Sequence, residues 1–176
     1  GFYKVTVTDN NASVKQANIS VYEAFDLATP ESELLKDFTR LRQAGIRINY
    51  QGDQVIYIDP INLYNGISGD AEIILITHAH EDHYSSTIVS QLVNESTTIL
   101  VTNDLYNSVV SIAGSATVLK IAPDSVKTVN GISIEVVPAY NSNHALPNSV
   151  GYILTLDGLR VYHSGDTKRI PEMTGF

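Results

Sequence analysis

Three of the five histidines in this 176-residue chain fall within seven residues, Thr77-His78-Ala79-His80-Glu81-Asp82-His83, with an Asp between the second and third. Neutral imidazole is the commonest protein ligand for a metal ion, and carboxylate suits hard or borderline cations. Core packing does not explain such a grouping, and solvated charge clusters are usually built from Lys and Glu. His78 and His80 are two apart at the end of an apolar run. In an extended chain both rings point to one face and can chelate one ion. Asp82 and His83 come after the chain turns toward the next helix and address an adjacent position. One short loop can in this way feed two cations roughly 3.5–4 Å apart.

Two more candidates stand in polar loops after strands: His144 in Tyr140-Asn141-Ser142-Asn143-His144, and Asp166 in Ser164-Gly165-Asp166-Thr167. Strand ends converging on one rim are where catalytic groups collect in layered α/β proteins. An Asp there can bridge two cations with its two oxygens. Asp82 also suits a helix N-terminus, where an acid stabilises the macrodipole, and it is a candidate proton shuttle. His163 carries three readings: a donor behind a ligand, a contact to substrate, or a half-buried structural residue. Asp59 either fixes the tautomer of a ligand His or ends a strand. Tyr140 and Asn141 read as loop-positioning residues.

The elements that must position these groups are legible from periodicity and punctuation. Val5, Val7 and Ile19, Val21 alternate with polar residues around the turn signal Asp9-Asn10-Asn11, which predicts a strand-turn-strand unit over residues 1–25. Thr29-Pro30-Glu31-Ser32-Glu33 predicts a helix start: a capping hydroxyl, Pro at the first position and acids in the first turn. Leu34, Leu35, Phe38 and Leu41 extend that helix to Gly45. Residues 46–50 and 55–58 form a hairpin that Asp59-Pro60 stops. Residues 71–77 form a buried strand running into the histidine cluster. Helices at 86–93 and 104–112 flank a strand at 99–102. Strands at 118–121, 126–129, 132–137, 152–156 and 159–163 follow, with Asn130-Gly131 and Asp157-Gly158 as hairpin turns. Strands alternating with helices, then a run of hairpins, predict layered sheets with helices outside.

The ordered set His78-x-His80-x-Asp82-His83, then a lone His144, then Gly165-Asp166-Thr167 resembles the metallo-β-lactamase superfamily. Asp59-Pro60, Pro138-Ala139-Tyr140-Asn141, Gly151-Tyr152 and Tyr162-His163-Ser164-Gly165-Asp166-Thr167 resemble its ascorbate-6-phosphate lactonase-like branch. The resemblance covers roughly residues 45–173 and implies an α/β fold, a four-layer αββα sandwich. It implies His78, His80 and His144 on a first metal, Asp82 and His83 on a second, and Asp166 bridging. The family uses a further His beyond the bridging Asp, and none follows His163 here. Either the domain over 26–176 is truncated at its C-terminus, or its last part comes from elsewhere, or the second metal site is weak or empty; Ile170-Pro171-Glu172-Met173, which resembles the start of the family's next helix, favours truncation. Residues 1–25 are either its first hairpin or the end of a preceding module resembling extracellular immunoglobulin-like or carboxypeptidase-regulatory-like repeats. The latter points to an extracellular or cell-envelope location.

Bulk properties narrow the function. Hydrophobic content of 43% and charged content of 17% describe a globular chain able to bury a core. No apolar run approaches the ~20 residues of a membrane span. With no Cys, thiolate ligation is excluded and the donors are all nitrogen and oxygen, which admits Zn²⁺, Mn²⁺ or Fe. A net charge of −8 argues against a nucleic-acid partner, because phosphate neutralisation needs a basic surface. The expected function is a hydrolase with two divalent metal ions, using a metal-bridged hydroxide on a carbonyl or phosphoryl centre of a small molecule, a lactone or phosphate ester. Asp82 and His163 are its candidate catalytic residues. The rival is a catalytically incomplete metal-binding or surface module of the same fold, and a nuclease is a third use of the same metal chemistry.

Overall fold

The computed structural model describes residues 2–8, 14–20, 29–63, 66 and 69–176. The chain divides into two compact units, Gly1–Lys36 and Asp37–Phe176. In the first, β1 (Phe2–Thr8) and β2 (Val14–Ser20) pair antiparallel from Phe2 opposite Ser20 to Thr8 opposite Val14. The expected turn at Asp9-Asn10-Asn11, Val21 and the boundary at 25/26 lie outside the described residues. Helix α1 (Pro30–Leu34) starts at a reciprocal cap: Thr29 Oγ1 accepts from Ser32 N at 3.2 Å, and Ser32 Oγ accepts from Thr29 N at 3.0 Å.

The expected continuation of α1 to Gly45 is wrong. The chain passes through a 3-10 turn at Leu35–Asp37 and becomes strand β3 (Phe38–Arg40). Phe38 and Leu41 had fitted the spacing of a helical stripe. Tertiary pairing overrides it: β3 docks antiparallel on β4 (Ile46–Tyr50), with Phe38 opposite Ile48 and Arg40 opposite Ile46. Partners from a neighbouring strand replace the helical ones, and Phe38 and Thr39 are good strand formers.

The second unit holds two sheets. The larger runs β3-β4-β5-β6-β7-β8, with β5 Gln54–Ile58, β6 Ile73–Leu75, β7 Thr98–Thr102 and β8 Thr117–Ile121. It is antiparallel as far as β5 and parallel from β5 to β8. Parallel neighbours need crossovers, and helices α2 (Ser86–Leu92) and α3 (Tyr106–Val110) supply two of them. Their buried residues Val89, Leu92 and Val109 pack with Tyr57, Ile74, Ile76, Ile99 and Val101 on one face of the sheet. Residues 104–112 had been expected to be helical throughout. Asp104 and Leu105 instead form a turn, with Leu105 N donating to Thr102 O at 3.2 Å.

The smaller sheet is an antiparallel meander in the order β12-β11-β10-β9: β9 Ser125–Val129, β10 Ile132–Pro138, β11 Val150–Leu156 and β12 Leu159–His163. The Asn-Gly and Asp-Gly turns fall between its strands, and all four residues have positive φ, as a two-residue hairpin turn of the primed type requires. The fully buried Tyr152 crosses to the larger sheet, and its hydroxyl donates to Ile76 O at 2.7 Å, with Leu100 O at 3.3 Å. Helices, mixed sheet and meander therefore stack in three of the four expected layers. Beyond β12 the described chain forms a 3-10 turn at Pro171–Gly175.

Burial pushes the Tyr152 hydroxyl well above its ordinary pKa, so it stays a donor. Tyr152→Phe removes that donor from two backbone carbonyls and should cost about 1–2 kcal/mol in a urea unfolding series. An unchanged midpoint would show that the contact between sheets contributes nothing.

Candidate metal centre

The site is built where β5 and β6 end side by side. After Ile58 the chain enters the left-handed region at Asp59 (φ +47°), a conformation that Asp tolerates better than most residues. Asp59 is fully buried. Its Oδ1 accepts from Thr77 N at 2.8 Å, and its Oδ2 lies 2.7 Å from both Thr77 Oγ1 and His83 Nδ1 and 3.3 Å from His163 Nε2. This explains why the strand expected over 71–77 pairs regularly only over Ile73–Leu75: at Thr77 the backbone N–H turns from the ladder to a carboxylate.

The network assigns ring tautomers. The Thr77 hydroxyl donates to Asp59 and so accepts from His78 Nδ1, 3.0 Å away. His78 Nε2 is left with its lone pair, buried and without a hydrogen-bond partner. His83 gives its Nδ1 proton to Asp59, which leaves Nε2 free 3.1 Å from Asp166 Oδ1. His144 Nδ1 lies 2.9 Å from Asn141 Oδ1, an oxygen that also accepts from Asn143 N at 2.7 Å and His144 N at 3.0 Å. His144 Nε2 then faces His80 Nδ1 at 3.0 Å.

The donor atoms gather in two groups that share His78: His78, His80 and His144, and His78, His83 and Asp166. Two nitrogens about 2.1 Å from one cation in tetrahedral geometry lie roughly 3.4 Å apart, so such separations suit a metal ion. Asp166 turns one oxygen toward each group, with Oδ1 near His83 and Oδ2 3.7 Å from His144 Nε2. An all nitrogen-and-oxygen set around an orphaned buried nitrogen fits a divalent cation. Five of the six expected ligands thus converge. The sixth, Asp82, is 52% exposed, 3.7 Å from His83 Nε2 and outside both groups. His163 is also outside them. It sits behind His83, on Asp59.

Backbone demands fix the later loops. Gly165 has φ +52°, and a Cβ there would stand 2.7 Å from Val150 O and 3.1 Å from Thr77 Cβ. Only glycine lets the Asp166 loop lie this close to the histidine loop. Asn141 Nδ2 donates to Asp166 O at 3.1 Å, so one amide side chain anchors both the His144 ring and the Asp166 backbone. Sequence reasoning gave Asn141 a loop-positioning role without this double attachment, and gave Thr77 no role. Thr77's signal was a hydroxyl directly before the first ligand candidate.

Electrostatics separate the rings. Burial, then repulsion from His83, push the His78 pKa down to about 4, so it stays neutral and able to donate its lone pair. Burial opposes a charge on His83 too, but the hydrogen bond to Asp59 and the charges of Asp59, Asp166 and Asp82 prevail and raise its pKa. Burial works against the Asp59 charge, yet hydrogen bonds led by His163 and His83 hold its pKa below the usual value.

Comparison with known proteins agrees with this architecture. A family profile described as "Beta-lactamase superfamily domain" matches residues 37–175. A UPF0173 metal-dependent hydrolase of Methanosphaerula palustris is 30% identical over 132 residues, covering 70% of this chain and 57% of the relative. The chain thus spans just over half the length of that curated relative. A candidate metal-dependent hydrolase of Parabacteroides distasonis superposes with a TM-score of 0.68 at 26% identity, covering all of this chain and 71% of the other. Igni18, a metallo hydrolase of Ignicoccus hospitalis, shares the fold with a TM-score of 0.61 at 22% identity, covering 78% and 64%.

Asn141→Ala should weaken metal affinity about 10- to 100-fold, the range for groups that orient ligands, in a chelator competition titration. Unchanged affinity would remove Asn141 from the site. His83 must shed its proton before Nε2 can bind a cation, and its pKa is raised. Metal affinity should therefore fall as pH drops, beginning above the ordinary histidine value of about 6.5. Flat affinity between pH 8 and 6, with no proton release on metal uptake, would contradict a raised His83 pKa.

Proposed function

The chain belongs to the metallo-β-lactamase superfamily, and on that footing we propose that it acts as a metal-dependent hydrolase on a carbonyl or phosphoryl centre of a small molecule, a lactone or a phosphate ester. The observation that carries this reading is His78 Nε2, a buried ring nitrogen with no hydrogen-bond partner at the junction of two donor groups. A desolvated, unpaired polar atom is costly, and a cation relieves that cost. The relatives' name, metal-dependent hydrolase, supports the same reading.

We assign His78, His80 and His144 to one Zn²⁺ or Mn²⁺, and His83 with Asp82 to a second, with Asp166 reaching toward both. A cation bound there supplies Lewis acidity and a nucleophile at neutral pH. The chain's own residues do the rest. Thr77, Asp59 and Asn141 hold three rings with their Nε2 lone pairs inward. Asp82, with half of its side chain in solvent beside His83, is suited to take a proton at its carboxylate and return it to a leaving group. His163 is nine-tenths buried on Asp59, so it supports the ligand frame rather than touching substrate.

Asp166→Ala should strip most of the metal and abolish turnover of model lactones and phosphodiesters. His163→Ala should leave metal content nearly intact. Elemental analysis of both variants beside the wild type checks the pair, and loss of metal from His163→Ala as complete as that from Asp166→Ala would overturn the ligand assignment. Wild-type protein that holds metal but turns over neither substrate class would favour the incomplete binding module.

A further inference from the structure

A cavity of about 120 Å³ opens beside the first donor group, with His78, His80 and His144 forming one side of it. It has room for several water-sized groups. Asp104, Asn143, Asn148 and Ser149 are the other polar residues lining it, with Ala79 and Ala145 as the apolar ones. Ser149 is 2% exposed, and its hydroxyl is buried with no hydrogen-bond partner. Its neighbour Val150 donates from N to Thr77 O at 3.1 Å, which ties this wall to the base of the histidine loop. Two amides and a carboxylate form a surface for hydrogen bonding that contains no Lys or Arg, so a cation held by the three histidines would be its one fixed positive charge.

We propose that this cavity is the subsite for the non-reacting part of the substrate, and that it takes a compact hydroxyl- or amine-bearing group with no negative charge. None of the Lys and Arg of residues 29–176 lines it. Lys168 and Arg169 follow Asp166 in sequence, but neither borders the cavity, and the Lys168 ammonium lies 5.8 Å from the Tyr140 ring centroid. Away from a cation on the histidines, a second anionic group on a substrate would meet Asp104 with no Lys or Arg among the described lining residues. A hydroxyl or ammonium pairs with Asp104, and the amides of Asn143 and Asn148 offer further donors and acceptors. The subsite therefore favours an uncharged, hydroxylated lactone over a substrate carrying an additional phosphate. Calling the ligand a substrate rests on the hydrolase reading. The charge preference is measurable without turnover.

The test uses three probes of similar size: 2-amino-1,3-propanediol, glycerol and glycerate. Each is titrated into metal-free and zinc-loaded protein while the side-chain amides of Asn143 and Asn148 are followed by NMR. In metal-free wild type the amine should bind tightest and glycerate weakest. Asp104→Lys, a change at an exposed position, should shift the glycerate-to-amine affinity ratio roughly threefold or more toward glycerate. Glycerate binding as tightly as glycerol to metal-free wild type, an affinity ratio unmoved by Asp104→Lys, or no response of those amides to any probe would each overturn the proposal. Lactone and phosphodiester turnover is followed on the same zinc-loaded sample. No turnover with the charge preference intact sinks the hydrolase reading alone, and turnover without the preference sinks the subsite alone.

Discussion

A carboxylate with no exposed surface, Asp59, is the constraint around which the site is arranged. Removing such a charge from water costs several kcal/mol, and only good geometry and full hydrogen bonding offset it. Thr77 donates to it twice, from backbone and side chain, and His83 and His163 each present a ring nitrogen. Each of these contacts also organises something else. Thr77 passes the constraint on to His78, and His83 is left with its second nitrogen facing Asp166. The fold thus accepts an expensive buried charge, and the tautomers of two rings follow from it. His144 is fixed separately, through Asn141.

The rest of the second unit brings loops to this rim. Parallel strands β5 and β6 deliver Asp59 and the histidine loop at neighbouring ends. The meander returns the His144 and Asp166 loops to the same place, and Tyr152 fastens its third strand to the mixed sheet. Thr167 Oγ1 accepts from Tyr140 N at 3.2 Å, and Lys168 N donates to Tyr140 O at 3.2 Å, so the two later loops are joined by their backbones as well as through Asn141. Lone pairs held together in this way repel one another in the absence of a cation. The chain therefore stores at the rim an arrangement that a metal ion stabilises, consistent with metal binding coupled to folding.

Much of this was legible in the sequence, for identifiable reasons. Clustered histidines, a lone His and a Gly-Asp after a strand are chemically distinctive and have few structural uses. The Asn-Gly and Asp-Gly hairpins were legible because only a few residues accept the positive φ those turns need. The helix expected after Thr29 forms but stops at Leu34, because residues 35–41 fit a helical stripe and an edge strand about equally. Pairing with β4, which no local pattern reports, decided between them. The position of Asp82 outside both donor groups was equally hidden, since proximity in sequence says nothing about which way a turn aims its third side chain. Ser149 and Asp104 belong to the cavity only through contacts between distant loops, and neither carries a local signal.

X-ray absorption at the zinc edge of the loaded protein tests most directly whether these side chains hold metal. The account predicts a shell of nitrogen and oxygen alone near 2.0–2.1 Å, with outer scattering that requires on average two or more imidazoles per zinc. A shell with one imidazole or none would contradict it, because the four converging rings would then be a packed cluster and not a metal centre.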